Sequence, residues 1–344
     1  MSRALDKVMA KVTGRVANPQ GGAASRFTAP RWLGPVVAVA IVALAASAPL
    51  FLNGFQLFIL SLALSYAIAT IGFNISLGWA GLLIFTGAAF FGLGAFVGGR
   101  MSVLGLPAEL VIIVAGVAGG LVGIVFGAMT MKLNHYYFAI SGIAFMFILD
   151  YFYRNFSDIT GGYSGFAIPA PQFLVLGGKP LFAQGGLYYV GLVLVILTYV
   201  FARYLERTPL GRGWRAVRRS PGVAQSLGIN VWRSKLSAFT VTSALMAVAG
   251  AWFGFLSLRF LPETFMFREL IFLFLIVIVG GLGSTRGMIV GSVVLVLLRE
   301  YLRGFPGLSE LIYGAVLLIA VLFFSKGIYG ALSKRWRPLR EEVL

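Results

Sequence analysis

The chain has 344 residues, 59% of them hydrophobic and 11% charged, with a mean hydropathy of +0.92; soluble domains carry about 25% charged residues, so an ordinary globular protein is excluded. Its formal net charge of +17 lies in segments flanking apolar runs, not in a basic stripe interleaved with aromatics, which indicates membrane topology and no nucleic-acid partner. With no Cys, one His and 11 scattered acids, thiolate catalysis and zinc motifs have no material, and no Gly-x-x-x-x-Gly-Lys-Ser/Thr loop exists to hold ATP.

The first 32 residues are polar and carry Arg3, Lys7, Lys11, Arg15, Arg26 and Arg31; they read as a flexible cytoplasmic tail. The apolar run that follows is too long for a secretory signal. A span needs about 20 mostly apolar residues. Ten segments approach that length, at 33–52, 55–78, 82–100, 108–131, 136–153, 186–203, 236–258, 267–285, 287–303 and 308–325, which predicts an all-α polytopic membrane domain over 33–328.

In the first half, 71–96 is rich in Gly, and Asn74 within it needs a hydrogen-bond partner from another helix. Asp150 and Arg154 are four residues apart at a span end and are expected to pair. The connection 154–186 contains Gly and Pro but little helical periodicity, so it is expected to be a functional or disordered external loop. A second Gly-rich stretch, 279–291, occupies the corresponding place in the second half, a sequence hint of a transporter built from repeats.

Between the halves, 203–235 is polar and basic: Arg203, Arg207, Arg212, Arg215, Arg218, Arg219, Arg233 and Lys235 are opposed only by Glu206. The positive-inside rule makes this segment cytoplasmic, and ten spans then place both termini on that side, consistent with Lys334, Arg335, Arg337 and Arg340 in the tail 329–344. Ser220 before Pro221 is a helix start and Gly228 a stop. The helix between them is less than two turns long, so it depends on contacts on both sides.

The run RTPLGRGWRAVRRSPGVAQSLGINVWRSKLSAF resembles the cytoplasmic coupling loop of branched-chain amino-acid ABC importer permeases of the LivM type. The matching residues are Arg215, Ala216, Arg218, Ala224, Gly228, Ile229 and Asn230; Arg219 stands where the family usually has an acid. Thr160, Gly161, Gly162, Tyr163, Ser164 and Gly165 resemble that family's Thr-Gly-Gly-x-x-Gly motif, and SKGIYGAL resembles its closing Pro-x-Gly-x-x-Gly. The resemblance implies a multi-pass permease of the bacterial inner membrane, surrounded by lipid, that works by alternating access. Its partners would be a second homologous permease, two ATP-binding subunits that use ATP and Mg, and a periplasmic substrate-binding protein; this chain would bind no metal or cofactor. Arg215, Arg218, Arg219, Pro221, Ala224, Leu227 and Gly228 would couple to the ATPase. Asn74, Gly78, Thr86, Gly87, Gly281 and Ser284 would belong to the translocation path, and Thr160, Gly161, Gly162, Tyr163 and Ser164 to the face that receives the binding protein.

Where the family's first Gly-rich motif carries Gln, Ser and His, this chain has Leu82, Ile84 and Gly87. That departure predicts a more apolar solute, or a path lined mainly by the partner permease. Branched-chain or related amino acids are the expected solute; a urea, short-amide or small apolar-acid permease is the near alternative. An ion-coupled secondary transporter is the distant one, and it would require carboxylates clustered at depth.

Overall fold

The structure, a computed structural model, describes residues 43–173, 184–304, 312, 314 and 315, except the side chains of His135 and Gln184. The two tails, the first part of the 33–52 segment, most of 308–325 and the SKGIYGAL motif lie outside the described residues.

After a helical stretch at 43–51, helix α1 (Gly54–Asn74) continues without a break into a π-helical turn, Ile75–Trp79. Helices α2 (Gly87–Val103), α3 (Ala108–Thr130) and α4 (His135–Asn155) follow. The outer connection holds α5 (Ser157–Thr160), a 3-10 turn (Gly162–Ser164) and strand β1 (Phe166–Ala167). Then come α6 (Gln184–Arg207), α7 (Pro209–Arg219), α8 (Pro221–Ser226) and α9 (Val231–Ser257). Strand β2 (Arg259–Phe260) and a 3-10 turn (Pro262–Phe265) lead to α10 (Phe267–Gly280) and α11 (Thr285–Leu302). Among the described residues five helices are long and apolar enough to cross a membrane, and α2 is a shorter apolar one. This is an all-α membrane architecture with one small antiparallel pair, Phe166 opposite Phe260 and Ala167 opposite Arg259.

Helix α9 is the centre, packed against α3, α2 and α1. In lipid no hydrophobic force draws helices together, so small residues and interhelical hydrogen bonds must do it. Both are present. A Cβ at Gly250 would collide with the carbonyl oxygen of Phe91, and one at Gly94 with that of Ala247, so α2 and α9 touch backbone to backbone. Between α1 and α9, Ser65 donates to the Ala249 carbonyl at 2.9 Å, Thr242 donates to the Gly72 carbonyl at 2.8 Å, and the Ser76 and Thr242 hydroxyls lie 2.7 Å apart. By contrast α3 turns Ile113, Val117 and Leu121 outward, a surface suited to hydrocarbon.

Four expectations from the sequence need adjustment. Helix α2 begins at Gly87, not at 82, because residues 80–86 form an irregular link in which Leu82 and Ile84 are buried. The segment 203–235 is mostly helical: α6 runs on to Arg207, α7 is a new amphipathic helix, and α9 starts at Val231, where Asn230 accepts from the Arg233 N–H at 3.0 Å. The outer connection is ordered from 157 to 173, with helical turns and a strand of its own. Finally, 267–285 does not form one long helix. Helix α10 has 14 residues, about 21 Å at 1.5 Å per residue, against a hydrocarbon thickness of about 30 Å.

Candidate functional site

The basic arm is shaped by a few local choices. Pro209 and Pro221 occupy first-turn positions of α7 and α8, where a missing N–H costs nothing. The Ser220 hydroxyl accepts from the Val223 N–H at 3.5 Å, and Gly228, at φ +82°, ends the helix. The start and stop read from the sequence therefore stand where they were expected. Helix α7 buries Gly211, Trp214 and Val217, spaced three apart on one side, and keeps its arginines on the others.

The arginines divide into two kinds. Arg215 turns back on the chain, donating to the Glu206 carbonyl at 2.9 Å and meeting its carboxylate at 3.2 Å; Arg203 meets the same carboxylate at 2.7 Å. Arg218 lies across Gly81, where a Cβ would meet its Cγ at 2.8 Å, and donates to the carbonyl oxygen of Gly78. Arg219 is exposed. On α8, Ala224 is buried, while Pro221, Val223 and Leu227 are exposed, the last two at 59% and 74%. Val223 was not singled out in the sequence; a β-branched residue in so short a helix gives no signal of its own. Val223 and Leu227 thus form an exposed apolar pair beside the arginines.

Under the arm, the two Gly-rich stretches meet. Asn74, buried at the end of α1, accepts from the Gly283 N–H at 2.8 Å, and Trp79 donates to the Gly283 carbonyl at 3.2 Å. Trp79 stacks on Trp214 of α7 at 6.3 Å between centroids, and Trp214 donates to Ser237 of α9 at 3.0 Å. Gly78 has to lack a side chain, because a Cβ there would strike the Asn74 amide oxygen. The π-turn is thus a place where α1 widens to let Asn74 and Gly283 bond, a form common at functional positions. Ser284 caps α11, accepting from the Gly287 N–H at 3.1 Å, and Gly281 turns the chain at φ +101°. The interhelical bond expected of Asn74 is present, and Gly78, Gly281 and Ser284 share its junction. Thr86 and Gly87 sit elsewhere: Thr86 packs near Gly142, and a Cβ on Gly87 would meet Phe73 at 2.6 Å and Met246 at 3.1 Å.

In the connection after α4, Thr160 is buried and donates to the Tyr153 carbonyl at 2.6 Å and the Phe156 carbonyl at 2.8 Å. Gly161 and Gly162 have φ of +74° and +57°, Tyr163 is exposed, and Ser164 accepts from Arg259 at 2.9 Å through its carbonyl. Arg154 pairs with Asp150 at 2.8 Å, as the four-residue spacing predicted, and also reaches Glu263 at 3.3 Å and the Tyr163 ring at 5.3 Å.

A second polar cluster was not foreseen. Glu269, 2% exposed, accepts from the hydroxyl of Tyr66 and pairs with Arg299 at 3.2 Å. Arg299 also donates to the Tyr66 hydroxyl at 2.9 Å and lies 4.5 Å from the Phe272 ring centre. Neither Glu269 nor Arg299 was singled out in the sequence. Glu269 lies in the first turn of the 14-residue α10, and neither that start nor its partners can be read from composition.

Residues 55–321 match the family described as "Branched-chain amino acid transport system / permease component". The chain is 31% identical to the high-affinity branched-chain amino acid transport system permease protein LivM of Escherichia coli (strain K12), over 84% of this chain and 73% of that protein. It is 30% identical to the LivM of Salmonella typhimurium with the same coverage, and 23% identical to the LivH of that species over 82% of this chain and 95% of that protein. No solved structure matches the chain. On the family match and the identity to LivM, the chain belongs to the permease-component family of branched-chain amino acid transport systems.

Proposed function

We propose that the protein is one permease subunit of a bacterial inner-membrane ABC importer for branched-chain or related amino acids. It spans the bilayer about ten times with both termini in the cytoplasm, and it pairs with a second, LivH-like permease. Two ATP-binding subunits dock on the arm and use ATP and Mg; a periplasmic binding protein delivers solute at the face of Thr160, Gly161, Gly162, Tyr163 and Ser164. The observation that carries this reading is the arm itself: α8 offers Val223 and Leu227 outward, while α7 is joined inward through Arg218 to Gly78.

The roles then divide by position. Pro221, Ala224, Leu227 and Gly228 form the docking element, and Arg219 adds exposed charge beside it. Arg215 braces the arm through Glu206, and Arg218 passes the arm's displacement to the junction of Asn74, Gly78, Gly281 and Ser284. That junction closes the cytoplasmic end of the path in one state and yields in the other, and Thr86 and Gly87 belong to the path apart from it. An ion-coupled carrier would need clustered deep carboxylates; among the described residues the one buried acid is Glu269, which stands alone beside Arg299.

The test is ATP-driven uptake in vesicles containing both permeases, with and without the ATP-binding subunits. Uptake of leucine, isoleucine or valine should appear only with the complete set. Continued uptake after the ATP-binding subunits are left out would end this reading.

A further inference from the structure

Helix α1 and its π-turn form a 26-residue apolar segment, Gly54–Trp79, and Tyr66 lies half-way along it. The half-length α10 starts beside Tyr66, since Glu269 in its first turn bonds to that hydroxyl. In the link before α10, Phe260, Pro262 and Phe265 are buried while Leu261 and Glu263 are exposed; Phe265 packs on Phe91, and Phe91 stacks on Tyr66. A broken helical segment beginning next to a buried acid paired with an arginine is the kind of place where transporters hold their solute.

A cavity of about 590 Å³ opens at this point, within the range of about 300–1,000 Å³ typical of small-molecule sites. Its walls are mostly apolar, from Leu62, Ile271, Phe272 and Val296, and Arg299 borders it. Arg268, Arg299, Arg303 and Glu300 stand among the described lining residues, and Glu269 lies behind Arg299. The guanidinium is fixed by Glu269, the Tyr66 hydroxyl and the Phe272 ring, so it is oriented before any ligand arrives. A planar, fixed cation over an apolar chamber matches a carboxylate on a short hydrocarbon body.

We propose that this cavity is the solute site of the subunit, taking a small solute with an apolar body and holding its carboxylate at Arg299. Tyr66 and Glu269 act as positioning residues for the guanidinium. This rests on the importer reading above and adds to it that this subunit itself contacts the solute, despite the apolar Leu82 and Ile84.

The chain has no Cys, so Ile271→Cys gives the subunit one thiol, on the cavity wall. In the full complex, in vesicles of neutral phosphatidylcholine, maleimide labelling of that thiol should slow several-fold with saturating leucine and not with leucinamide. In Arg299→Lys, the KM for leucine should rise roughly tenfold or more, while Leu121→Trp on the outward face of α3 leaves it unchanged. Wild-type uptake is measured first; if it is absent, the importer reading fails and not this one. If uptake is present, labelling of Ile271→Cys unaffected by leucine, or an unchanged KM in Arg299→Lys, overturns the proposal. So does protection that appears only when anionic lipid is added, which would assign the cavity to a headgroup phosphate.

Discussion

Arg218 donates a hydrogen bond to the backbone carbonyl of Gly78, a residue 140 positions earlier in the chain. The bond joins the water-facing arm to the π-turn of the central α1 helix, and one step further, through Asn74, to Gly283 ahead of α11. Three elements distant in sequence therefore meet within a few ångströms. A push on α8 cannot reach the bundle by this route without moving Arg218.

Arg218→Gln should therefore uncouple the complex and not dissolve it. A charged donor on a carbonyl contributes about 1.5–3 kcal/mol, but the stem across Gly81 and the Trp79–Trp214 stack remain. The ATP-binding subunits should still co-purify, while stimulation of ATP hydrolysis by the loaded binding protein is lost and uptake falls roughly tenfold. Full stimulation in this variant would show that the force travels elsewhere.

Asn74→Leu removes the acceptor for the Gly283 N–H inside a buried junction. A stranded buried donor costs about 1–3 kcal/mol, so the purified complex should melt at a lower temperature. Asn74→Asp keeps the acceptor oxygen but places a charge at depth, and is expected to be no better. Melting temperatures equal to wild type in both variants would remove the junction's claim to hold the two Gly-rich stretches together.

Leu227→Asp and Val223→Asp alter only exposed atoms of α8. Surface changes away from special features stay within about 0.5 kcal/mol, so thermal stability should hold while recovery of the ATP-binding subunits on the purified permeases drops. Ala224→Leu is the opposite case: Ala224 is buried, and overpacking costs about 1–3 kcal/mol. It should loosen the arm, seen as faster proteolysis at 203–235, before it affects docking.

Much of this was legible in the sequence, and the divisions have physical causes. Ser220, Pro221 and Gly228 act through their own backbone, so capping rules located α8 to within a residue. The Asp150–Arg154 pair follows from helical periodicity alone. The partner of Asn74 could be demanded but not named, because Gly283 meets it through tertiary contact. Helix α7 stayed hidden under its charge, which hydropathy reads as loop although Trp214 and Val217 form a buried face. Least visible was the cluster of Tyr66, Glu269 and Arg299, since apolar runs of adequate length say nothing of where a helix starts in the membrane.

The outer face supplies the last expectation. Arg154 of α4 pairs with Asp150 one turn back in the same helix, and ties α4 to Glu263 in the link before α10 and to the ring of Tyr163. The pairing of β1 with β2 joins the same two segments, so whatever presses on Tyr163 and Ser164 presses also on the link that leads to Glu269. Glu263 is largely exposed and its pair with Arg154 contributes little, on the order of 0–1 kcal/mol; Asp150 and the Tyr163 stack hold Arg154 more firmly. Arg154→Ala should thus leave the bundle folded but free the 157–167 segment, measured as new protease cuts there and a several-fold loss in the apparent affinity of the binding protein for the complex. Basal ATP hydrolysis, which the proposed function assigns to subunits docked on the basic arm, should not change. An unaltered binding-protein affinity together with new cuts in the segment would mean that its ordered form is not what the binding protein recognises.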